Sequence, residues 1–443
     1  MTPTLAPLSN PSLLRLSRRA VLVGLPSLVS ACAARQAAAA ANMNPSDSLS
    51  GAALYADLEY YASHDSHRTG TPGDLARSDW IARELERAGH VVRRLPFGFE
   101  RHDLTAHRLA VDGMKFAPLD AYPLWDPVPT GADGVSGPLR LAEAAGPGSI
   151  ACLEVDGIGG LARLSANLTR LSDRGTRAVV AVTVTPSGEL FGHGLRTPLP
   201  LPVMLVGSKH MEFLRAAAAR GAQTQLLIES TRTPDAQAYK VEGRLERGPR
   251  RIVVSTPTSA WFASAGERGP GVALFLGLAR WMAGRAGESP VSATFIASSG
   301  HELYGAGKKS YLEDAAPSPT ETLAWIHLGA SIAVYGFERG PTGLRANGRR
   351  QLGTQLLTND DRLLSLLQSR FAGVENLTPR RATTARGELA LMFEAGYRAF
   401  GFEGAHAYFH APNDLPFVTG PELLESVGRA LQQCILALET EAR

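Results

Sequence analysis

From about residue 236 to the C-terminus, short apolar runs of strand length alternate with segments of helical length, and few folds accommodate that order. Ile252–Ser255, Ala293–Ala297, Leu323–Leu328 and Ala399–Gly404 read as strands. Gly271–Met282, Arg362–Phe371 and Glu422–Thr440 read as helices between or after them. Strands that are apolar along their whole length are buried on both faces, and the intervening helices supply the cover. The pattern predicts an α/β fold with a doubly wound, mostly parallel sheet. Upstream, Leu54–Ala62 is helix-like, and Trp80, Ile81, Leu85 and Ala88 share one face of an amphipathic helix stopped by Gly89. His90–Phe97 then reads as a strand at the first edge of the sheet.

Between about Asp112 and Arg232 the texture changes. Strand-like Ser149–Val155, Ala178–Val184 and Val203–Val206 alternate with short helices at Leu161–Arg174 and Met211–Arg220, and Gly and Pro crowd the joints. This stretch reads as a lid-like insertion. The expected plan is an export signal and tether over 1–42, the first part of the main domain over 43–111, the insertion over 112–235 and the main part over 236–443. A length of 443 residues suits it. His193, in a Gly-rich loop, reads as a surface residue.

A net charge of +3 with no Lys/Arg-rich run excludes nucleic acid as a partner. Three cysteines exclude a disulfide scaffold and a cysteine-based zinc cluster. Cys152 and Cys434 read as inert buried thiols. Arg18-Arg19 followed by an apolar run to Ala31 reads as a bacterial export signal of the twin-arginine type. Val29-Ser30-Ala31-Cys32 has the form of a lipobox, which would leave Cys32 acylated; the alternative is plain cleavage near Ala31–Ala33. The expectation is a periplasmic protein, or one anchored to the membrane only by lipid at Cys32.

The strand Ala293–Ala297 runs into Ser298-Ser299-Gly300-His301-Glu302-Leu303-Tyr304-Gly305, which delivers an imidazole and a carboxylate to the strand's C-terminal mouth. Ligands collect at such mouths in open α/β sheets. The pair can serve a metal, a proton transfer or a hydrogen bond that closes the loop.

In the order of these pieces, the chain resembles the co-catalytic zinc aminopeptidases and carboxypeptidases of metallopeptidase family 28. The resemblance spans essentially the whole mature chain. Arg174-Gly175-Thr176-Arg177-Ala178-Val179-Val180-Ala181, Leu199–Val206 and Ala219-Arg220-Gly221-Ala222 resemble the protease-associated domain that such enzymes carry as an insertion. Against the family's H-x-D, this chain has Pro257 at the ligand His and Ser259 at the orienting Asp. Glu267 stands at the metal-bridging Asp, and Glu302 at the ligand of the family's E-E pair, with His301 replacing the general base. Gly329, in Trp325-Ile326-His327-Leu328-Gly329, stands at a further ligand Asp. His410, in Phe409-His410-Ala411-Pro412-Asn413-Asp414, matches the last ligand His.

Neither Pro257 nor Gly329 has a side chain that can coordinate, so a two-zinc centre is not expected. Glu302 and His410, with Glu267 or His301, could still hold at most one zinc with a position open for water. Whichever of Glu267 and His301 is not a ligand would be the base. His327 reads as a half-buried strand histidine or an added ligand. Arg268 either pairs with Glu267 or clamps an anionic group of the substrate. Asn413 and Asp414 would hold the His410 loop. Ser255, Ser259 and Ser299 are considered as nucleophiles, but no G-x-S-x-G elbow supports them. The resemblance implies a hydrolase acting on a peptide or other small amide-containing substrate. The alternative is a binding or scaffold module that has lost catalysis.

Overall fold

The computed structural model describes residues 48–442, apart from 65–66, 158, 195–198, 286 and 342. Arg18, Arg19 and Cys32 lie outside the described residues. Ser50 and Thr71 open the first two helices, α1 (Gly51–Ala62) and α2 (Pro72–Arg87), each accepting a backbone N–H from three residues on, Ala53 and Asp74. Such caps satisfy donors that a helix start leaves unpaired.

Eight strands and two helices follow: β1 (Val91–Val111), β2 (Met114–Lys115), β3 (Ala121–Pro123), β4 (Val135–Leu141), β5 (Ile150–Asp156), α3 (Leu161–Asp173), β6 (Ala178–Val184), β7 (Val203–Gly207), α4 (Met211–Arg220) and β8 (Gln223–Leu245). Strands β4 to β7 are parallel neighbours in order, and β3 closes their far edge antiparallel. Apolar clusters lie on both faces of this part, one under α4 with Leu214 and Ala217, the other under α3 with Leu164 and Leu168.

The main part continues with β9 (Arg251–Pro257), α5 (Gly269–Gly284), β10 (Ser292–Ser298), α6 (Ala306–Asp314) and β11 (Thr322–His327). A hairpin, β12 (Tyr335–Gly340) and β13 (Gly343–Arg350), precedes β14 (Gln355–Thr358), α7 (Asp361–Arg370), β15 (Pro379–Arg381), α8 (Gly387–Glu394), β16 (Ala399–Glu403) and α9 (Pro421–Glu441). The sheet order β15-β14-β16-β11-β9-β10-β8-β4 runs on through β5, β6 and β7 to β3. The doubly wound α/β expectation holds: β10, β9, β11 and β16 are parallel, with antiparallel strands flanking them. Buried Leu424, Val427, Leu431, Ile435 and Leu438 recur at helical spacing along α9. Each such side chain contributes about 1.5–3 kcal/mol when fully buried. No helix among the described residues is long and apolar enough to cross a membrane.

The suture between the two parts differs from the sequence expectation of short strands. β1 is 21 residues long and β8 is 23, and they pair antiparallel from Val91↔Arg244 to Val111↔Thr224. Their burial is mixed along much of their length, so no clean apolar period marks them. Register shifts near Phe99/Arg101 and Leu104/Ala106 bend the ribbon.

From β9 the chain steps to β10 on one side and then crosses to β11 on the other. At such a reversal the loops leaving the strands diverge at their C-terminal ends, which is where open α/β sheets bind ligands. Parallel pairing levels Ser298 with Pro257 and His327 with Ser255, so the following loops start side by side.

Candidate active site

Four loops meet at this mouth, following β9, β10, β11 and β16. Four of the non-glycine residues with left-handed backbone lie in them: Ser264, Tyr304, Ser331 and His410. Backbone of this kind costs energy and persists where surrounding contacts hold it. Gly300, at φ 87°, makes the turn after β10 that a side chain would resist.

The β9 loop brings Glu267 and Arg268 to the start of α5, where an anionic side chain suits the helix dipole. The β10 loop brings Glu302, and the β16 loop His410. Arg268 Nη2 lies 2.8 Å from Glu267 Oε1 and 3.2 Å from Glu302 Oε1, while its Nε donates to the Ser259 carbonyl at 3.2 Å. The guanidinium is 1% exposed. Ser259 Oγ donates to Glu302 Oε2 at 3.0 Å and accepts the N–H groups of Gly300 and His301 at 3.0 and 3.1 Å. Asp414, fully buried, accepts the N–H groups of Gly266 and Glu267 at 2.7 and 3.0 Å, and it meets His406 Nε2 at 3.1 Å. It thereby ties the β16 loop to the β9 loop. Asn413 Oδ1 is buried with no hydrogen-bond partner among the described residues.

His410 Nε2 lies 3.2 Å from Glu267 Oε1 and its Nδ1 3.0 Å from the Gly192 carbonyl. Both neighbours are acceptors, so both ring nitrogens act as donors, which describes an imidazolium. Burial works against that charge, but Glu267 and Glu302 outweigh it and raise the His410 pKa. Burial likewise opposes ionisation of Glu267, and Arg268 and His410 overcome it, leaving its pKa low. The two cations and the Glu267–Glu302 pair of carboxylates balance. Buried charges persist only when paired in this way.

A second cluster adjoins the first. His301 Nδ1 lies 3.1 Å from Glu388 Oε1, at the start of α8. Lys308 Nζ, from the first turn of α6, lies 3.9 Å from Glu388 Oε2, and both side chains are buried. Neither Lys308 Nζ nor Glu388 Oε2 has a hydrogen-bond partner among the described residues. Burial opposes the Glu388 charge, but the His301 hydrogen bond and the Lys308 charge prevail and hold its pKa at about 2. Burial lowers Lys308 to about 8 despite Glu388. A carboxylate on Nδ1 makes that nitrogen the donor and leaves Nε2 of a neutral ring with its lone pair, on a side chain that is 25% exposed.

The other sequence candidates are committed elsewhere. His327 Nδ1 bonds the Ser255 hydroxyl at 3.0 Å, the Trp325 indole donates to the same oxygen at 2.8 Å, and burial lowers His327 to about 3. Ser299 donates to Asp74 at 2.7 Å. Ser255, Ser259 and Ser299 are all buried, so none presents a hydroxyl to a substrate. Gly329 stands against β16, where a Cβ would collide with the Phe402 carbonyl oxygen.

The reading of His193 as a surface residue is corrected: it is 3% exposed. Its loop crosses from the insertion onto the site, with Gly192 N–H donating to the His410 carbonyl at 2.8 Å. Phe191, Phe409 and Trp261 surround the His410 ring, Phe409 stacked at 4.2 Å. Gly192 is the legible signal here, because any Cβ would strike Trp261. Glu388 and Lys308 were not singled out from the sequence.

Solved structures share this architecture. A family 28 peptidase precursor from Shewanella amazonensis matches with a TM-score of 0.71 at 14% identity, over 89% of this chain and 95% of that one. A zinc aminopeptidase from Bacillus subtilis gives 0.67 at 15% identity, over 88% and 95%. An aminopeptidase from an Aneurinibacillus strain gives 0.59 at 16%, over 86% and 92%. The chain has the zinc-aminopeptidase fold. No family model matches the sequence, and no curated protein matches it.

The zinc aminopeptidases among these structures suggest zinc as a candidate, and Glu267, Glu302 and His410 bring one ligand atom each within 4.8 Å of one another. Zinc binds the neutral imidazole of a histidine, whereas His410 donates from both nitrogens. The nearest carboxylate oxygens are already bonded to Arg268. As arranged, the donor set does not fit a divalent metal.

Proposed function

We propose that this chain is a hydrolase of amide or peptide bonds that works by acid–base chemistry, with His301 as its base. The observation that carries this reading is the His301–Glu388 pair, 3.1 Å apart, which leaves Nε2 as the acceptor on a partly exposed side chain. In the resemblance to family 28, His301 stands at the general base, and Glu388 supplies the orientation that an imidazole needs for that role. Nε2 would take a proton from water as its oxygen bonds to the substrate carbonyl carbon. The same proton would pass to the amine nitrogen as the C–N bond breaks.

A second reading has its own observation. The balanced cluster of Glu267, Arg268, Glu302 and His410 is buried and bonded internally, which favours a binding module that uses the fold without turnover. Assay of the full chain on a panel of aminoacyl and peptidyl amides separates the two. The hydrolase reading expects turnover that His301→Ala lowers by about 10²–10⁴-fold. Absence of turnover across the panel, with saturable peptide binding, hands the case to the binding module.

Export rests on the sequence alone: Arg18-Arg19 and the apolar run after it support a twin-arginine route, and Cys32 a lipid anchor. Fractionation of cells making Arg18→Lys/Arg19→Lys or Cys32→Ala chains tests both, through cytoplasmic retention and loss of the membrane-bound form.

A further inference from the structure

We propose that Arg268 is the resident cation of this site: its guanidinium takes the place of a divalent metal between Glu267 and Glu302, and removing it converts the cluster into a zinc site. One nitrogen, Nη2, reaches both carboxylates, at 2.8 and 3.2 Å, as a bridging ion would. The side chain is anchored at its other end, where Nε donates to the Ser259 carbonyl. Its backbone is fixed too, with N–H donating to the Ser264 carbonyl at 3.0 Å. A guanidinium keeps its charge at every pH a protein survives. This cation is therefore covalently part of the chain, and neither a chelator nor mild acid extracts it.

The geometry also accounts for one coordinating position that this chain lacks, at Gly329, and for the changed orienting position at Ser259. Gly329 sits where any side chain would overlap Phe402, so the backbone has closed over the place of one ligand. At Ser259, a hydroxyl braces Glu302 and the turn into His301 instead of orienting a ligand imidazole. A site that keeps two carboxylates but loses two other donors has excess negative charge and too few ligands. A monovalent, hydrogen-bonding cation satisfies such a set where a divalent ion does not. Without Arg268, two carboxylates face the single charge of His410, and Glu267, Glu302 and His410 remain as three convergent groups of mixed N and O type, the type that suits a single zinc. The inference is independent of whether His301 turns over a substrate.

The test is zinc stoichiometry by mass spectrometry and calorimetric titration on the full chain, purified without chelator. The wild-type chain is expected to hold less than about 0.1 zinc per chain and to show no shift in unfolding temperature with excess zinc. Arg268→Ala is expected to bind one zinc, at least about 100-fold more tightly than wild type, and to lose it again when Glu302→Ala is added. Added guanidinium should compete with zinc in Arg268→Ala. If the variant is unfolded without metal, zinc-dependent recovery of its circular dichroism gives the same support. Tight stoichiometric zinc in the wild type, or an Arg268→Ala chain that neither binds zinc nor is refolded by it, overturns the proposal.

Discussion

His301 and Glu388 are 87 positions apart in sequence and meet Nδ1 to Oε1 at 3.1 Å, beside a buried lysine. Contacts thus run from a partly exposed imidazole to a buried carboxylate and a buried ammonium. Glu388→Gln should lower kcat on any substrate found by about 10–100-fold with KM little changed, because orientation of the base is lost and binding is not. A change confined to KM would remove Glu388 from the chemistry.

The same carboxylate should show energetic coupling to Lys308. Each single variant, Glu388→Gln or Lys308→Met, strands the other charge in the interior. The double variant strands neither. Urea unfolding of the four proteins is expected to give a coupling of about 1–3 kcal/mol. Additive losses would mean that 3.9 Å is too far for the pair to matter.

Ser259→Ala removes an acceptor from two backbone N–H groups and a donor from Glu302. It should cost about 2–3 kcal/mol of stability while leaving the side-chain volume nearly filled. Equilibrium unfolding checks the figure, and Ser259→Thr should recover part of it. A loss below about 0.5 kcal/mol would show that the loop finds other partners.

Stability should fall with acid through buried neutral histidines. Burial lowers His90 to about 4 from 6.5. Between those values the unfolded chain binds more protons than the folded one, so stability rises with pH across that window and is lost as pH falls from 6.5 toward 4. His90→Gln should flatten the slope of unfolding free energy by up to about 1.4 kcal/mol per pH unit in that window and leave it unchanged above it. An unaltered slope would contradict the assignment. His193 and His327, each lowered to about 3 by burial, contribute in the same sense and keep the residual slope positive.

Gly329→Asp restores the residue type that the resemblance to family 28 leads one to expect. It should not restore a metal ligand, because its Cβ has no room beside Phe402. The expected result is a loss of about 3 kcal/mol or more with no gain of zinc, read by thermal unfolding and metal analysis. A stable, zinc-loaded variant would show that β16 yields.

Much of the fold was legible because its strands and helices are apolar in regular patterns; Ala293–Ala297 and Glu422–Thr440 announce themselves by burial alone. Of the β1–β8 ribbon only His90–Phe97 was read as a strand; beyond it burial is mixed, as where Arg101 pairs with Asp103, and periodicity carries no signal. Glu267, Glu302 and His410 lie in three loops separated by long stretches of chain, and only the order of a resembling family suggested that they meet. Arg268 was ambiguous between pairing with Glu267 and clamping a substrate, because the choice depends on a distance. Glu388 was invisible: an acidic residue at a helix start is the commonest of surface features, and only its burial against His301 gives it meaning.

The ribbon also carries a cost in chain entropy. β1 ends at Val111 and β8 begins at Gln223, so pairing them closes a loop of more than a hundred residues. For a disordered loop of that size the closure entropy is about 4 kcal/mol before any constant is added. If the intervening segment has already collapsed onto its own strands, most of that cost has been met. β10 then docks on β8, Ala293 against Leu245, and the turn carrying His301 follows directly from β10. A substitution between β1 and β8 that weakens this ribbon is therefore expected to loosen the mouth without touching any of its residues.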